Sequence, residues 1–240
     1  MSDSDLGREM GRVDRFAYRF FWSLLWLVLK ACFRFRVVGG EHLPKEEPYI
    51  LAPVHRSYLD TPVGGMVTAR RLRFLGKESL WRSRLGGRFL TIVGGFPVER
   101  GTADRAALRA CQEVLERGEP MVMFPEGTRR YGPVVLAEEM HAGPAFVATR
   151  AGVPIVPLGI AGTDHAMPGG SPFIRPTRVF MVVGEPLRPP VVAGRVPRRV
   201  VDELTVELRQ RMQAVFDEAQ RLAGRPALPR PLPPDQAEGG

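Results

Sequence analysis

From residue 34 onward, short apolar runs alternate with stretches of helical periodicity, and no other property of the chain restricts its fold as much. Apolar runs at 35–38, 49–54, 72–75, 121–124, 154–160 and 178–183 read as strands. Between them, 58–69, 79–90, 103–117 and 143–151 carry helical patterns, with Thr102 placed to cap the third and Gly118 to stop it. Such alternation predicts an α/β fold, a mostly parallel central sheet flanked by helices. No internal repeat and no second core pattern occurs, so the 240 residues make one such domain, at 35–223, with appendages. A last helix is expected at 198–223, where Val201, Leu204, Leu208, Met212, Val215, Ala219 and Leu222 recur at three- and four-residue steps as one apolar stripe.

The appendages differ in kind. Residues 1–15 are polar and predict a frayed start, and 224–240 are Pro-rich and polar at their end, predicting a disordered tail. Within the N-terminal segment 1–34, residues 20–29 read FFWSLLWLVL, apolar on every face of a helix. Such a run rises only about 15 Å, half of a hydrocarbon core of about 30 Å. Arg12, Arg15 and Arg19 precede it, and Lys30, Arg34 and Arg36 follow. The pattern predicts an embedded or interfacial anchor, with its cations at anionic headgroups and Trp22 and Trp26 near the interface. A buried core helix is the other structure this run permits. A cleaved signal is not expected, because no small-x-small cleavage site precedes the first strand.

A net charge of +8 predicts an anionic partner: a membrane surface, a phosphate-bearing substrate or nucleic acid. Nucleic acid has only the charge in its favour, without aromatic interleaving or helix-turn-helix spacing. Lys30, Lys45 and Lys77 are the only lysines, so the positive charge is arginine, and an Arg carries meaning by position and not by abundance. Cys32 and Cys111 form neither a disulfide framework nor a metal spacing, which points to a reduced, cytosolic compartment with Cys111 as a small core residue. No metal is expected, since His42, His141 and His165 are scattered without ligand spacing.

Three strand ends carry groups of chemical use. His55 follows the run 49–54, and α/β sheets place ligands at such ends. Asp60 is spaced to accept a hydrogen bond from one ring nitrogen, fixing the tautomer and leaving the other nitrogen as a general base. Ser57-x-x-Asp60 is equally a capping box, in which Ser57 caps a helix and Asp60 reaches back to its backbone. The segment 94–101 sets Arg100 before a helix, where unpaired N–H groups favour an anion and a guanidinium adds a bidentate contact. A surface pair with Glu99 explains the same Arg. In FPEGTR, 124–129, Pro125 stiffens the strand exit, Gly127 permits close backbone approach, and Thr128 and Arg129 supply donors. Glu126 is offered either to a substrate hydroxyl or to Arg129, and an ordinary strand-to-loop turn also fits this segment alone. Ser57 as a nucleophile activated by His55 lacks the G-x-S-x-G elbow. No Walker or dinucleotide glycine pattern occurs.

Taken in order and with their spacing, these motifs resemble the glycerolipid acyltransferase family, which includes the bacterial 1-acyl-glycerol-3-phosphate acyltransferases. H-x4-D matches at 55–60, a second block at 96–100 and FPEGTR at 124–129; Val153-Pro154-Ile155-Val156-Pro157 and Gly184-Glu185-Pro186 fit as well, so the resemblance spans 35–222. It implies a membrane-associated O-acyltransferase of phospholipid biosynthesis, monotopic or peripheral on the cytoplasmic face of the cell membrane. It implies transfer from acyl-CoA or acyl carrier protein, without a further cofactor, to the free hydroxyl of 1-acyl-glycerol-3-phosphate, giving phosphatidic acid. It implies His55 as base, Asp60 as its orienter, and Arg100, Glu126, Gly127, Thr128 and Arg129 as the phosphate and glycerol site, with Lys77 facing the same pocket. Where relatives commonly continue into Phe-Lys-x-Gly, this chain has Met140-His141-Ala142-Gly143, so another lysophospholipid or a glycolipid is the alternative acceptor. Two other classes set rival expectations: a lipid hydrolase acylating Ser57, and a non-catalytic membrane-binding module.

Overall fold

The computed structural model describes residues 11–98, 104–168, 171, 173–192 and 194–229. One sheet holds seven strands: β1 (Arg36–Val38), β2 (Ile50–Pro53), β3 (Arg73–Lys77), β4 (Gly95–Val98), β5 (Met121–Val122), β6 (Ile155–Ala161) and β7 (Phe180–Val183), in the order β1-β7-β6-β2-β5-β3-β4. Strands β2 to β6 run parallel; β7 is antiparallel to β6, and β1 runs with β7. The expected mostly parallel α/β sheet is the observed one. Its helices are α1 (Arg12–Phe33), α2 (Asp60–Gly64), α3 (Arg84–Ile92), α4 (Asp104–Glu116), α5 (Gly143–Ala151), α6 (Thr163–Ala166) and α7 (Arg198–Ala223).

Right-handed crossovers put α2 and α3, which step toward β4, on one face, and α4 and α5, which step back toward β6, on the other. Helix α1 packs against α3 on the first face, and α7 against α5 on the second. Strand β6 is buried at every position, as a strand covered on both faces must be. A Cβ on Gly159 would stand 2.2 Å from the Val215 carbonyl oxygen, so glycine is what lets α7 approach β6 so closely.

Several elements depart from the sequence expectation for local reasons. Strand β4 was not among the expected strands, and Pro97 fits in it because it is the edge strand, where a missing N–H is tolerated. The expected helix at 58–69 shrinks to α2 and a 3-10 turn at Gly65–Val67, with Pro62, Gly64 and Gly65 opposing a longer helix. Ser83 splits the 79–90 stretch: its hydroxyl accepts from Gly86 N–H at 3.3 Å and starts α3 after a 3-10 turn, Glu78–Trp81. In α7 the expected Val201, Leu204, Leu208, Met212 and Ala219 are buried; Val215 and Leu222 are only partly so, and Phe216 and Ala223 beside them are buried as well.

At the N-terminus, α1 has 22 residues, not ten, and by length and composition it could cross a membrane. Arg and Lys are good helix formers, so the flanking cations extend the helix instead of ending it, and the frayed start does not reach Arg12. Leu29 and Phe33 are buried, Trp22 and Leu25 pack on the core, and Trp22 Nε1 donates to the Thr68 carbonyl at 3.1 Å. Phe16, Phe20, Leu24 and Leu27 point outward and exposed, so α1 is docked on one side and is no buried core helix. The tail also departs at its start. Ala227 is buried, its N–H donates to Gln220 Oε1 at 2.9 Å, and Leu228 N–H donates to Asp164 at 2.6 Å. Residues 1–10 and 230–240, and the Thr102 cap, lie outside the described residues.

Cys32 is exposed and Cys111 buried, and burial pushes the Cys111 thiol up to about 12. Native protein treated with a maleimide at neutral pH is expected to label at Cys32 quickly and at Cys111 only after denaturation. Rapid double labelling, read by mass spectrometry, would contradict this packing.

Candidate active site

His55 leaves the C-terminal end of β2, the central strand between β6 and β5, so the sheet itself delivers the ring to its carboxyl edge. Its Nδ1 stands 3.1 Å from Asp60 Oδ2. The same oxygen accepts the N–H groups of Arg56 (2.5 Å) and Ser57 (2.6 Å), and Oδ1 accepts the Thr163 hydroxyl at 2.5 Å. A fully buried carboxylate held by these donors cannot turn away from the ring. With Nδ1 protonated toward it, Nε2 is the free basic nitrogen. The ring also lies against Phe124, with centroids 4.2 Å apart, and its side chain is only 15% exposed.

The capping box forms by half. Asp60 reaches back to Ser57 N–H, but the Ser57 hydroxyl accepts from Leu59 N–H at 3.3 Å, and α2 begins at Asp60 without a side-chain cap. Ser57 is 1% exposed and its hydroxyl also contacts the Met167 carbonyl at 3.5 Å. A nucleophile must meet its substrate; this one is turned into the protein.

The FPEGTR loop is tied to His55 from both sides. His55 N–H donates to Glu126 Oε2 at 2.8 Å, and Arg130 N–H donates to the His55 carbonyl at 2.8 Å. Glu126 was offered above to a substrate or to Arg129; instead its carboxylate is fully buried and taken by Arg56 Nη1, at 2.7 and 2.9 Å to its two oxygens. Burial pushes the Glu126 carboxyl above the ordinary range, while the Arg56 charge, its hydrogen bonds and the His55 N–H pull it back. Arg56 further donates to the carbonyls of Gly132 (2.9 Å) and Val134 (3.1 Å) and sits over the Phe216 ring. Sequence reasoning passed over Arg56 and Thr163. Among so many arginines nothing marks one, although an Arg immediately after a motif His, with a motif Glu unassigned, was a usable signal.

Toward solvent, Gly127 takes φ +64, and a Cβ there would meet the His141 ring at 2.7 Å. Thr128 is exposed, and the Arg129 guanidinium stacks over Tyr58 at 3.4 Å from the ring centroid. Stacking uses one face and leaves its N–H edge; among the described residues no carboxylate pairs with it. Lys77 ends β3 on the same edge of the sheet, and Arg100 lies outside the described residues. Beside α2 opens a cavity of about 500 Å³, lined by Leu25 and Val28 of α1, Pro62, Met66, Phe74 and Phe89 among others, and almost wholly apolar. No cluster of three or more His, Cys, Asp or Glu able to hold a metal occurs among the described residues.

An imidazole fixed in this way removes protons from hydroxyls, so the chemistry on offer is that of a general-base enzyme on an α/β sheet. The family model described as Acyltransferase matches residues 34–161, just over half of the chain, and the chain belongs to that family; it is an O-acyltransferase. It is 23% identical over 206 residues to the 1-acyl-sn-glycerol-3-phosphate acyltransferase of Bacillus subtilis, covering 85% of this chain and 100% of that one. It is 29% identical to the lyso-ornithine lipid O-acyltransferase of Pseudomonas aeruginosa, covering 70% of this chain and 63% of that one. Similar relatives from Chlamydomonas reinhardtii, Brassica napus and Arabidopsis thaliana are longer, and the chain spans about half of their length. The crystal structure of the 1-acyl-sn-glycerophosphate (LPA) acyltransferase PlsC from Thermotoga maritima superposes with a TM-score of 0.69 at 25% identity, covering 91% of this chain and 84% of that one.

Proposed function

We propose that this protein transfers an acyl chain from a thioester donor to the free hydroxyl of 1-acyl-glycerol-3-phosphate, giving phosphatidic acid. The carrying observation is the clamp that joins His55 to the FPEGTR loop, because it sets a base and an Arg129 with no carboxylate partner among the described residues on one sheet edge. His55 Nε2 takes the hydroxyl proton as the oxygen attacks the thioester carbonyl. The new C–O bond forms, the C–S bond breaks, and the proton returns to the leaving thiolate, whose conjugate thiol has a pKa of about 8.5. The acyl chain occupies the apolar cavity, whose lining includes Thr61 and Pro62, the residues directly after Asp60.

Arg129, with Thr128 and the Gly127 backbone, receives the acceptor phosphate, and Lys77 and Arg100 are proposed to add charge. Arg129→Ala is expected to raise KM for the phosphorylated acceptor by about 10- to 100-fold, the worth of a charge-assisted contact, with kcat little changed. An unchanged KM would put the phosphate elsewhere. The outward apolar side chains of α1, with Arg12, Arg15 and Arg19 at its start, support a monotopic seat on an anionic membrane, and the cytoplasmic face is the side proposed.

A second acceptor is favoured by one feature: His141, where the family resemblance leads one to expect a Lys, covers Gly127 in the loop assigned to the phosphate. The lyso-ornithine lipid relative fits such a variation. Purified protein given labelled palmitoyl-CoA and a panel of lysolipids, with products separated by headgroup, tests both. Phosphatidic acid as main product supports the first acceptor, and another product the second. Free fatty acid alone would refute acyl transfer.

A further inference from the structure

We propose that the groove between α4, α5 and the start of α7 binds the phosphorylated nucleotide of a coenzyme A thioester, a role that rests on the acyl-transfer function above. The groove encloses about 1350 Å³ and lies on the sheet face opposite the apolar cavity. Its walls carry Arg109 from α4, Arg150 from α5, and Arg195 and Arg198 at the approach to α7, against Asp202 as the acidic residue among those lining it. Arg198 is partly satisfied by Asp202 at 3.6 Å, and Arg150 donates to the Gly194 carbonyl at 2.9 Å. The side chains of Arg109 and Arg195 make no ion pair or hydrogen bond among the described residues, and both residues are exposed. Positive charge without internal partners, set into a concavity, is complementary to phosphate.

Two further properties select a nucleotide. Leu108 and Phe146 give the groove an apolar part on which a planar base can lie, with guanidinium groups around it. Ala142 and Gly143 also line it, at the N-terminus of α5, where the positive end of the helix dipole favours an anion. An acidic carrier protein would instead meet cations that project from a convex surface. The α5 end also adjoins the catalytic loop. A Cβ on Gly143 would lie 3.9 Å from Met123, the neighbour of the Phe124 that backs His55, and His141 N–H donates to the Pro125 carbonyl at 2.8 Å. A donor can thus lay its acyl chain on the α1 face, its thioester at His55 and its nucleotide on the α4–α5 face, straddling the carboxyl edge of the sheet.

The test compares Arg109→Ala, Arg195→Ala and the double variant with the wild type, using three donors: palmitoyl-CoA, palmitoyl-pantetheine, which lacks the nucleotide, and palmitoyl-carrier protein. In the double variant KM for palmitoyl-CoA is expected to rise about ten-fold or more at unchanged kcat, with palmitoyl-pantetheine unaffected. Equal KM values for palmitoyl-CoA would overturn the proposal. A rise confined to the carrier-protein donor would overturn it too, assigning the groove to an acidic protein. Calorimetry with coenzyme A is read separately from turnover: weaker binding by the double variant supports the site even if no acceptor is acylated, and equal or absent binding refutes it. Unchanged melting temperatures in the variants confirm that the fold is intact.

Discussion

His55→Ala is expected to lower kcat by about three orders of magnitude, the usual worth of a positioned general base, while the melting temperature stays near that of the wild type. The ring sits at the edge of the core against Phe124 and, among the described residues, its side chain bonds Asp60 alone, so its loss leaves the surrounding backbone bonds in place. Asp60→Asn is a poorer test. Asp60 also accepts the N–H groups of Arg56 and Ser57 and the Thr163 hydroxyl, so an amide there would set N–H donors against each other and disturb the loop. Steady-state kinetics with a labelled thioester donor, beside thermal melts, separates the two effects in His55→Ala. Activity within a few-fold of the wild type would sink His55 as the base.

Glu126→Ala is expected to act mainly on stability, by about 3–5 kcal/mol, because it strands the Arg56 guanidinium in the protein interior. At about 2–4 °C per kcal/mol for a domain of this size, the melting temperature should fall by about 10 °C. Were Glu126 a contact for substrate hydroxyls, its loss would raise KM and spare the fold. The buried geometry predicts the reverse, and a selective KM effect with an unchanged melt would refute it. Arg56→Met combined with Glu126→Leu should recover part of the lost stability, since replacing both members removes the unpaired charge. The His55 backbone bond to Glu126 would still be missing, so full activity is not expected to return.

Legibility in the sequence followed how local the cause was. Helices α5 and α7 appear with the expected bounds, because capping residues and a 3.6-residue period lie within the segments themselves. Strand β4 was not among the expected strands, and the tolerance of its Pro97 depends on the strand being at the edge of the sheet. Helix α1 was underestimated because its charged flanks were read as ends; its partners, the carbonyls of Thr68 and Arg70, lie far along the chain.

The site divides in the same way. His55, Asp60 and the FPEGTR loop could be found from residue type and position, since their spacing within each motif and their seats at strand ends are written in neighbouring residues. Which carboxylate serves which cation could not. Glu126 and Arg129 share one short motif, yet Glu126 pairs with Arg56, 70 residues earlier, and Arg129 stacks on Tyr58. The pairing of β2 with β5 brings those segments together, and burial of the carboxylate then demands a buried cation. Residue order thus determined the α/β alternation and the candidate base. Only the tertiary structure decided that Glu126 braces His55 from behind and leaves Arg129 half-buried on Tyr58, because a buried charge takes the partner that the packed sheet brings within reach.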